Sequence, residues 1–203
     1  MSSPSKGCQD KVGRLGRYLV TQPRAAIEFA WQDAQHKLLV FTGAGWAGCR
    51  TTRKLTSGGA MMLGQHAVKT WSKTQSLLAL SPGEGEIHAA LRASAGGLGL
   101  MSLLRDFGYE VKGGGPGIAS AALGIINRRG LGRARHIDTG LLSVQQAAAE
   151  KRLRYSKVLG TINPADLVTK YLTADANEGH CPRPSVHFAL GRASSAPTLS
   201  SIL

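Results

Sequence analysis

Carboxylates and basic side chains are the groups of this sequence that could take part in chemistry. Glu84 and Glu86 follow Ser81 and Pro82 at the start of a long apolar segment. Carboxylate oxygens are hard ligands that hold divalent cations. Acids at the start of a helix are also favoured by the helix dipole alone, without any ligand. The positions of Glu84 and Glu86 therefore leave two interpretations open, a metal ligand or an ordinary acid at a helix start. The same two interpretations hold for Asp166, near the start of a later segment.

Basic residues outnumber acidic ones by 25 to 12, which gives a formal net charge of +13. An excess of this size favours a polyanionic partner, most simply nucleic acid. A basic solvated surface, or drift in an unselected sequence, would give the same total.

Length and composition define the broad class of the protein. The chain has 203 residues, 42% of them hydrophobic, which is enough for one domain with a core plus tails. Its three cysteines form no CxxC pair, so neither a zinc site nor a disulfide framework is indicated, and reduced thiols favour an intracellular location, cytoplasmic or nuclear. No apolar run approaches a membrane span of about 20 residues, and no signal peptide is recognised at the start. We therefore expect no membrane partner.

Apolar patterning predicts a meander of strands followed by strands that alternate with helices. The predicted strands are His36–Thr42, Thr56–Leu63, Ala67–Trp71, a short one beginning at Tyr109, and Leu153–Leu159, with a hairpin turn at Gly64–His66. The predicted helices are Lys11–Val20, Glu84–Phe107, Ala119–Ile126, Ile137–Glu150 and a segment capped by Asn163 that runs to Leu172. Gly113–Gly117 is predicted to be a flexible break, and Trp31 a core contact. This order predicts an α/β fold with a mixed five-stranded sheet and helices packed on it.

Six short blocks occur in one order between about Lys37 and Leu172. They are Gly43–Gly48 (GAGWAG), Thr56–Gly59 (TSGG), Trp71–Gln75 (WSKTQ), Leu80–Glu86 (LSPGEGE), Arg133–Asp138 (RARHID) and Ala165–Lys170 (ADLVTK). Together they resemble the ribonuclease H domain of copia-type long-terminal-repeat retrotransposon Pol polyproteins, in a degenerate copy. Members of that family carry Asp-x-Asp-Trp-Ala-Gly at the first block and Ala-Asp-x-x-Thr-Lys at the last. Each block alone is weak, but six in order at compatible spacing are specific.

The resemblance implies a ribonuclease H-like fold that hydrolyses the RNA strand of RNA–DNA hybrids with two Mg²⁺ or Mn²⁺ ions. It implies a hybrid or another nucleic acid as partner, and a reverse transcriptase domain on the N-terminal side in the parent polyprotein. Residues 1–35 would be a lead and a remnant of the reverse transcriptase connection. Residues 36–172 would be the ribonuclease H-like domain, and residues 173–203 an irregular or disordered tail.

The family needs four carboxylates, one each from the first strand, the first helix, the fourth strand and the last helix. Glu86 and Asp166 match the two helix acids, both as catalytic residues and as metal ligands, and Glu84 fits less well. Gly43 stands at the first-strand position, and Ile118, or Gly117 under a one-residue shift, at the fourth-strand position. Because the first acid contacts both ions in the family, its loss removes the bridge between them. We expect impaired metal binding and weak or absent hydrolysis.

The resemblance and the basic clusters also predict residues that contact nucleic acid. These are Arg53, Lys54, Ser72, Lys73, Gln75, Arg133, Arg135 and His136. Phosphate contacts of this kind make binding dependent on salt and largely independent of sequence. Two other interpretations stay open, namely a non-catalytic nucleic-acid-binding domain and an unselected retrotransposon fragment.

Overall fold

The computed structural model describes residues 5–21, 24–45, 53–76, 78–118, 120–128, 130, 140–191 and 193–194. The described helices are α1 Lys6–Thr21, α2 Pro82–Asp106, α3 Ser120–Ile126, α4 Gly140–Ala149 and α5 Ala174–His180, with 3₁₀ helices at Gly160–Ile162 and Pro164–Val168. The described strands are β1 Arg24–Ile27, β2 Lys37–Gly45, β3 Thr56–Leu63, β4 His66–Thr74, β5 Lys112–Ile118, β6 Ser156–Lys157 and β7 Val186–Ala189. Contacts divide the chain into a smaller unit, Met1–Glu28 with Val186–Leu203, and a larger unit, Phe29–Ser185.

The smaller unit contains α1 and the antiparallel pair of β1 with β7. The predicted helix at Lys11–Val20 is confirmed, but it already begins at Lys6, within the predicted lead. No residue of α1 is buried. Both β7 and α5 lie in the segment that the sequence predicts to be an irregular tail. Elements of four and seven residues are too short for a periodic pattern to reveal them.

The larger unit is built on a mixed five-stranded sheet with strand order β4-β3-β2-β5-β6. β2, β3 and β4 form an antiparallel meander, and β5 runs parallel to both β2 and β6. The meander turns at Gly64, whose φ of +61° is a left-handed conformation that glycine adopts without a steric penalty. These features confirm the predicted α/β class, the mixed five-stranded sheet and the hairpin.

β5 corrects the prediction of a flexible break, because Gly113–Gly117 lies inside this parallel strand beside β2. Proline cannot donate a ladder hydrogen bond, so a strand interior tolerates it only next to an irregularity. Pro116 pairs with Val40, and the register of the two strands shifts just before that pair. The run of glycines contains no side-chain pattern from which the strand could have been predicted.

Apolar side chains cover both faces of the sheet. On one face, Leu38, Val40 and Met61 pack against Ala93 of α2. On the opposite face, Phe41 and its neighbours pack against Ala165 of the second 3₁₀ helix. Trp31 was predicted to contact this core, but its side chain is 95% exposed.

Helix α2 lies close to the sheet because its inner face consists mainly of small residues. Ser81 caps the helix by accepting the backbone N–H of Glu84, and Pro82 occupies the first turn. A Cβ on Gly97 would lie only 3.2 Å from Cγ2 of Val40. Among the described helices, α2 alone has the length and hydropathy of a membrane span, a test that the core helix of a globular domain also passes.

We expect Gly59→Ala to destabilise the larger unit by about 3 kcal/mol, because its new methyl group would overlap the Phe41 carbonyl oxygen and the Trp71 ring. Gly99→Ala is the matched control: a Cβ there meets nothing within 4 Å, and alanine in a helix is favoured over glycine by about 1 kcal/mol. Urea denaturation of the two variants checks this, and equal shifts of the midpoint would contradict the packing described for β3.

Candidate functional site

The second 3₁₀ helix positions Asp166 over the C-terminal half of β2. Asn163 caps this helix, because its Oδ1 accepts the Ala165 N–H at 3.1 Å. The same side chain donates from Nδ2 to the Thr42 carbonyl of β2, also at 3.1 Å. The predicted Asn163 cap is thereby confirmed, although the helix is 3₁₀ and ends at Val168 rather than Leu172.

Two glycines let this helix approach the sheet closely. A Cβ on Gly58 would lie 2.8 Å from side-chain atoms of Val168 and Thr169, and a Cβ on Gly45 would overlap the Thr169 carbonyl. Larger residues at these positions would push the helix away from β2 and β3. The glycines therefore determine how near Asp166 comes to the strand.

Glu86 approaches the same place from α2. Its carboxylate accepts a hydrogen bond from the backbone N–H of Ala44, and it interacts electrostatically with both Lys170 and Asp166. One of its oxygens, Oε2, is buried and has no hydrogen-bond partner among the described residues. The fold thus brings together the two acids, Glu86 and Asp166, that the sequence predicts as metal ligands.

Gly43 faces this pair of acids from β2. A Cβ built on it would lie 3.6 Å from Asp166 Oδ1 and 3.7 Å from Asn163 Nδ2. These are ordinary contact distances, so a small side chain would fit and would point towards Asp166. The position predicted for the first-strand acid therefore faces the site, and glycine contributes no ligand there.

The predicted fourth-strand position contributes no carboxylate either. Ile118 is 1% exposed and belongs to an apolar cluster with Ile87, Ala122 and Val144. At Gly117, the alternative position, a Cβ would overlap the side chain of Val158. An aspartate at either position would be buried among apolar groups, at a large cost in stability.

Lys170 provides the counter-charge to Asp166. Its Nζ lies 2.7 Å from Asp166 Oδ2, in the i,i+4 relation, and the carboxylate side chain is only 8% exposed. This pairing is not among the predictions from the sequence, although the four-residue spacing of opposite charges in ADLVTK is the signal that could have revealed it. An ammonium group thus already neutralises one of the two acids.

Burial raises the pKa of the Glu86 carboxyl above its ordinary value. The Ala44 N–H and the Lys170 ammonium lower this pKa in part, whereas the Asp166 carboxylate raises it further. Proton binding at Glu86 is therefore favoured by the fold. The carboxylate of the neighbouring Glu84 accepts the backbone N–H of Leu80, just before the N-cap Ser81.

The residues present do not fit a two-metal centre. Two divalent ions require several carboxylates in close reach. Within the described ranges, no three side chains of the types His, Cys, Asp and Glu cluster in a way that could hold a metal ion. Of the two acids that do meet, Asp166 is paired with Lys170, and Glu86 has a raised pKa.

Among the described residues predicted to bind nucleic acid, Ser72 and Lys73 lie on opposite faces of the sheet. Ser72 donates to the Val168 carbonyl at 2.7 Å, on the face of the second 3₁₀ helix. Lys73 lines a pocket with His88 and Arg92 of α2, on the opposite face. Gln75 is buried, and its Nε2 donates to Ser57 Oγ at 2.7 Å and to the Gly85 carbonyl at 2.9 Å.

These contacts give Gln75 a structural role, and its predicted role in nucleic-acid binding stays a prediction. Arg53 is exposed and has a φ of +56°, and Lys54 is half-buried. Arg133, Arg135 and His136 lie outside the described residues.

Comparisons with models of known protein families and with curated protein sequences find no significant match. Function is therefore inferred from the site.

We expect Glu86→Gln to be more stable than the wild type at neutral pH. The folded chain binds the Glu86 proton more tightly than the unfolded chain, so ionisation destabilises the fold above the raised pKa and has no effect below the ordinary value of 4.5. The difference in unfolding free energy should therefore shrink as the pH falls through this window. Denaturant titrations at several pH values measure it, with the exposed Glu110→Gln as control. A difference that does not change with pH would contradict the burial described for Glu86.

Proposed function

We propose that residues 36–172 form a ribonuclease H-like domain of copia-type retroelement descent that no longer hydrolyses RNA–DNA hybrids. The proposal is carried by one observation. Glu86 of α2 and Asp166 of the second 3₁₀ helix meet at the C-terminal half of β2, where a side chain on Gly43 would face Asp166. The resemblance expects acids from the first strand, the first helix and the last helix to meet in this way. The parallel β5 beside β2 agrees with a fourth strand that ends at the same site.

Loss of hydrolysis follows from the charges that remain at this site. Two-metal hydrolysis needs ligands that bridge both ions and neutralise their charge. Gly43 has no ligand atom, and Ile118 places an apolar side chain where a carboxylate is expected. The Lys170 ammonium repels an incoming divalent ion and already binds an oxygen of Asp166. We therefore derive no catalytic step through metal ions.

Non-catalytic binding of nucleic acid is the second function that we propose. The net charge of +13 supports it, as does the exposure of several cations on the larger unit, Lys73 and Arg92 among them. Such binding needs cations near the phosphates, and it does not need the missing acids. An RNA–DNA hybrid is the partner to test first, because the resemblance points to it.

We expect the full chain to bind a fluorescent RNA–DNA hybrid without cleaving it in Mg²⁺ or Mn²⁺. Binding should weaken steeply with salt, with log K falling by about 0.9 for each phosphate contact per tenfold rise in salt. Gel analysis of the bound hybrid measures cleavage, and anisotropy at several salt concentrations measures binding. Robust cleavage that Glu86→Gln abolishes would contradict the loss of hydrolysis, and affinity indifferent to salt would contradict the proposed binding.

We expect Gly43→Asp to restore part of a cation site, because its carboxylate would face Asp166. About 10 mM Mn²⁺ at a site with a Kd of about 1 mM stabilises the folded state by about 1.4 kcal/mol, or about 3 °C in Tm. Gly43→Asn has the same shape without the charge and is the matched control. Thermal unfolding with and without Mn²⁺ measures the shift. Equal shifts in the two variants would show that position 43 does not face the acids.

A further inference from the structure

A pocket of about 200 Å³ lies between β4 and the first turns of α2. Its walls contain three basic side chains, those of Lys73, His88 and Arg92. Ser57, Thr74 and Ser76 line it as well. Among the described residues that line the pocket, none carries a carboxylate. The pocket has room for several water molecules, each of which takes about 30 Å³ in the liquid.

The fold places these groups by regular geometry. Lys73 and Ser57 are direct partners in the β3–β4 register, so their side chains lie on the same face of the sheet. His88 and Arg92 are four residues apart on α2 and therefore lie on one side of the helix. The position of each basic group thus follows from a strand pair or from a helical turn.

Gln75 joins the two walls at the base of the pocket. Its Nε2 donates to Ser57 Oγ of β3 at 2.7 Å and to the Gly85 carbonyl of α2 at 2.9 Å. Its backbone N–H donates to the Leu55 carbonyl at 2.8 Å. These bonds hold the strand and the helix that carry the cations in one arrangement.

The charges of this pocket are not balanced within the fold. Neither Lys73 nor Arg92 forms a salt bridge with a described residue, and both side chains are exposed. Cations beside hydroxyl donors match the oxygens of a phosphate group, which accepts several hydrogen bonds at once. The centre at Glu86 and Asp166 shares no residue with this pocket.

We propose that this pocket binds a phosphate group. Where that phosphate belongs to a nucleic acid backbone, the inference rests on the proposed function; free phosphate is the other source of the same chemistry. Lys73 and Arg92 supply the charge, His88 lies beside them, and Ser76 supplies a hydroxyl donor. Because the contacts are to phosphate alone, the pocket fixes the position of a strand and does not read its sequence.

The test compares two double variants of the full chain that lose the same positive charge. Lys73→Gln with Arg92→Gln removes the charge of the pocket. Arg105→Gln with Lys112→Gln removes two exposed charges outside it. We expect the pocket variant to raise the Kd for an RNA–DNA hybrid about tenfold at about 0.1 M salt and to reduce the salt slope by about one to two. The control variant should change this Kd about twofold to threefold, through net charge alone.

A second arm uses inorganic phosphate without nucleic acid. Phosphate stabilises most folded proteins by exclusion from their surface, so the relevant quantity is the Tm rise of the wild type minus that of each variant. We expect the pocket variant to lose part of the Tm rise and the control variant to keep it. Circular dichroism before heating confirms that both variants are folded.

The two arms separate the outcomes. If only the pocket variant loses both hybrid affinity and the phosphate response, the result supports binding of a nucleic acid backbone phosphate in the pocket. A phosphate response specific to the pocket, in a wild type that binds no hybrid, supports the pocket with free phosphate as its ligand and contradicts the proposed nucleic-acid binding. Equal effects of both variants on hybrid affinity, with no specific phosphate response, overturn the pocket and leave the proposed function standing.

Discussion

The close packing of the second 3₁₀ helix on the glycine-lined face of β2 and β3 is the constraint on which the site depends. Gly45 and Gly58 allow the backbone of this helix to approach within contact distance of the strands. Asn163 then joins the two, with one end of its amide on the helix and the other on Thr42. Without this approach, Asp166 would not lie near Glu86, and Lys170 would have no buried carboxylate to pair with.

The charges in the same region explain why the site attracts a divalent cation only weakly. Only two carboxylates meet there among the described residues; one is paired with an ammonium, and the other binds its proton more tightly because it is buried. A third acid at Gly43 would have added the charge that attracts a divalent ion. Among the described residues, this site thus lacks a cluster of ligands that could hold a metal ion. In the pocket beside α2, by contrast, Lys73 and Arg92 form no salt bridge with a described residue.

The elements that depend on neighbouring residues in the sequence could be predicted from that sequence. The meander strands follow from apolar runs, and the Asn163 cap follows from its spacing to Pro164. The strand at Gly113–Gly117 could not be predicted, because glycines carry no pattern and its register comes from distant β2. The two acids that meet were found through the resemblance. The structural contacts of Gln75 could not be predicted, because they join β3 and α2 across the fold. The pairing of Lys170 with Asp166 is local, and its four-residue spacing could have been recognised in the sequence.

Binding of Mn²⁺ to the wild-type chain tests the central claim most directly, since that claim concerns ligands that are absent. Electron paramagnetic resonance of the free ion at neutral pH measures this binding without any substrate. We expect no site with a Kd below about 1 mM, because Asp166 is paired with Lys170 and Gly43 contributes no ligand atom. Saturable binding at micromolar Mn²⁺ that Glu86→Gln and Asp166→Asn both abolish would contradict the account.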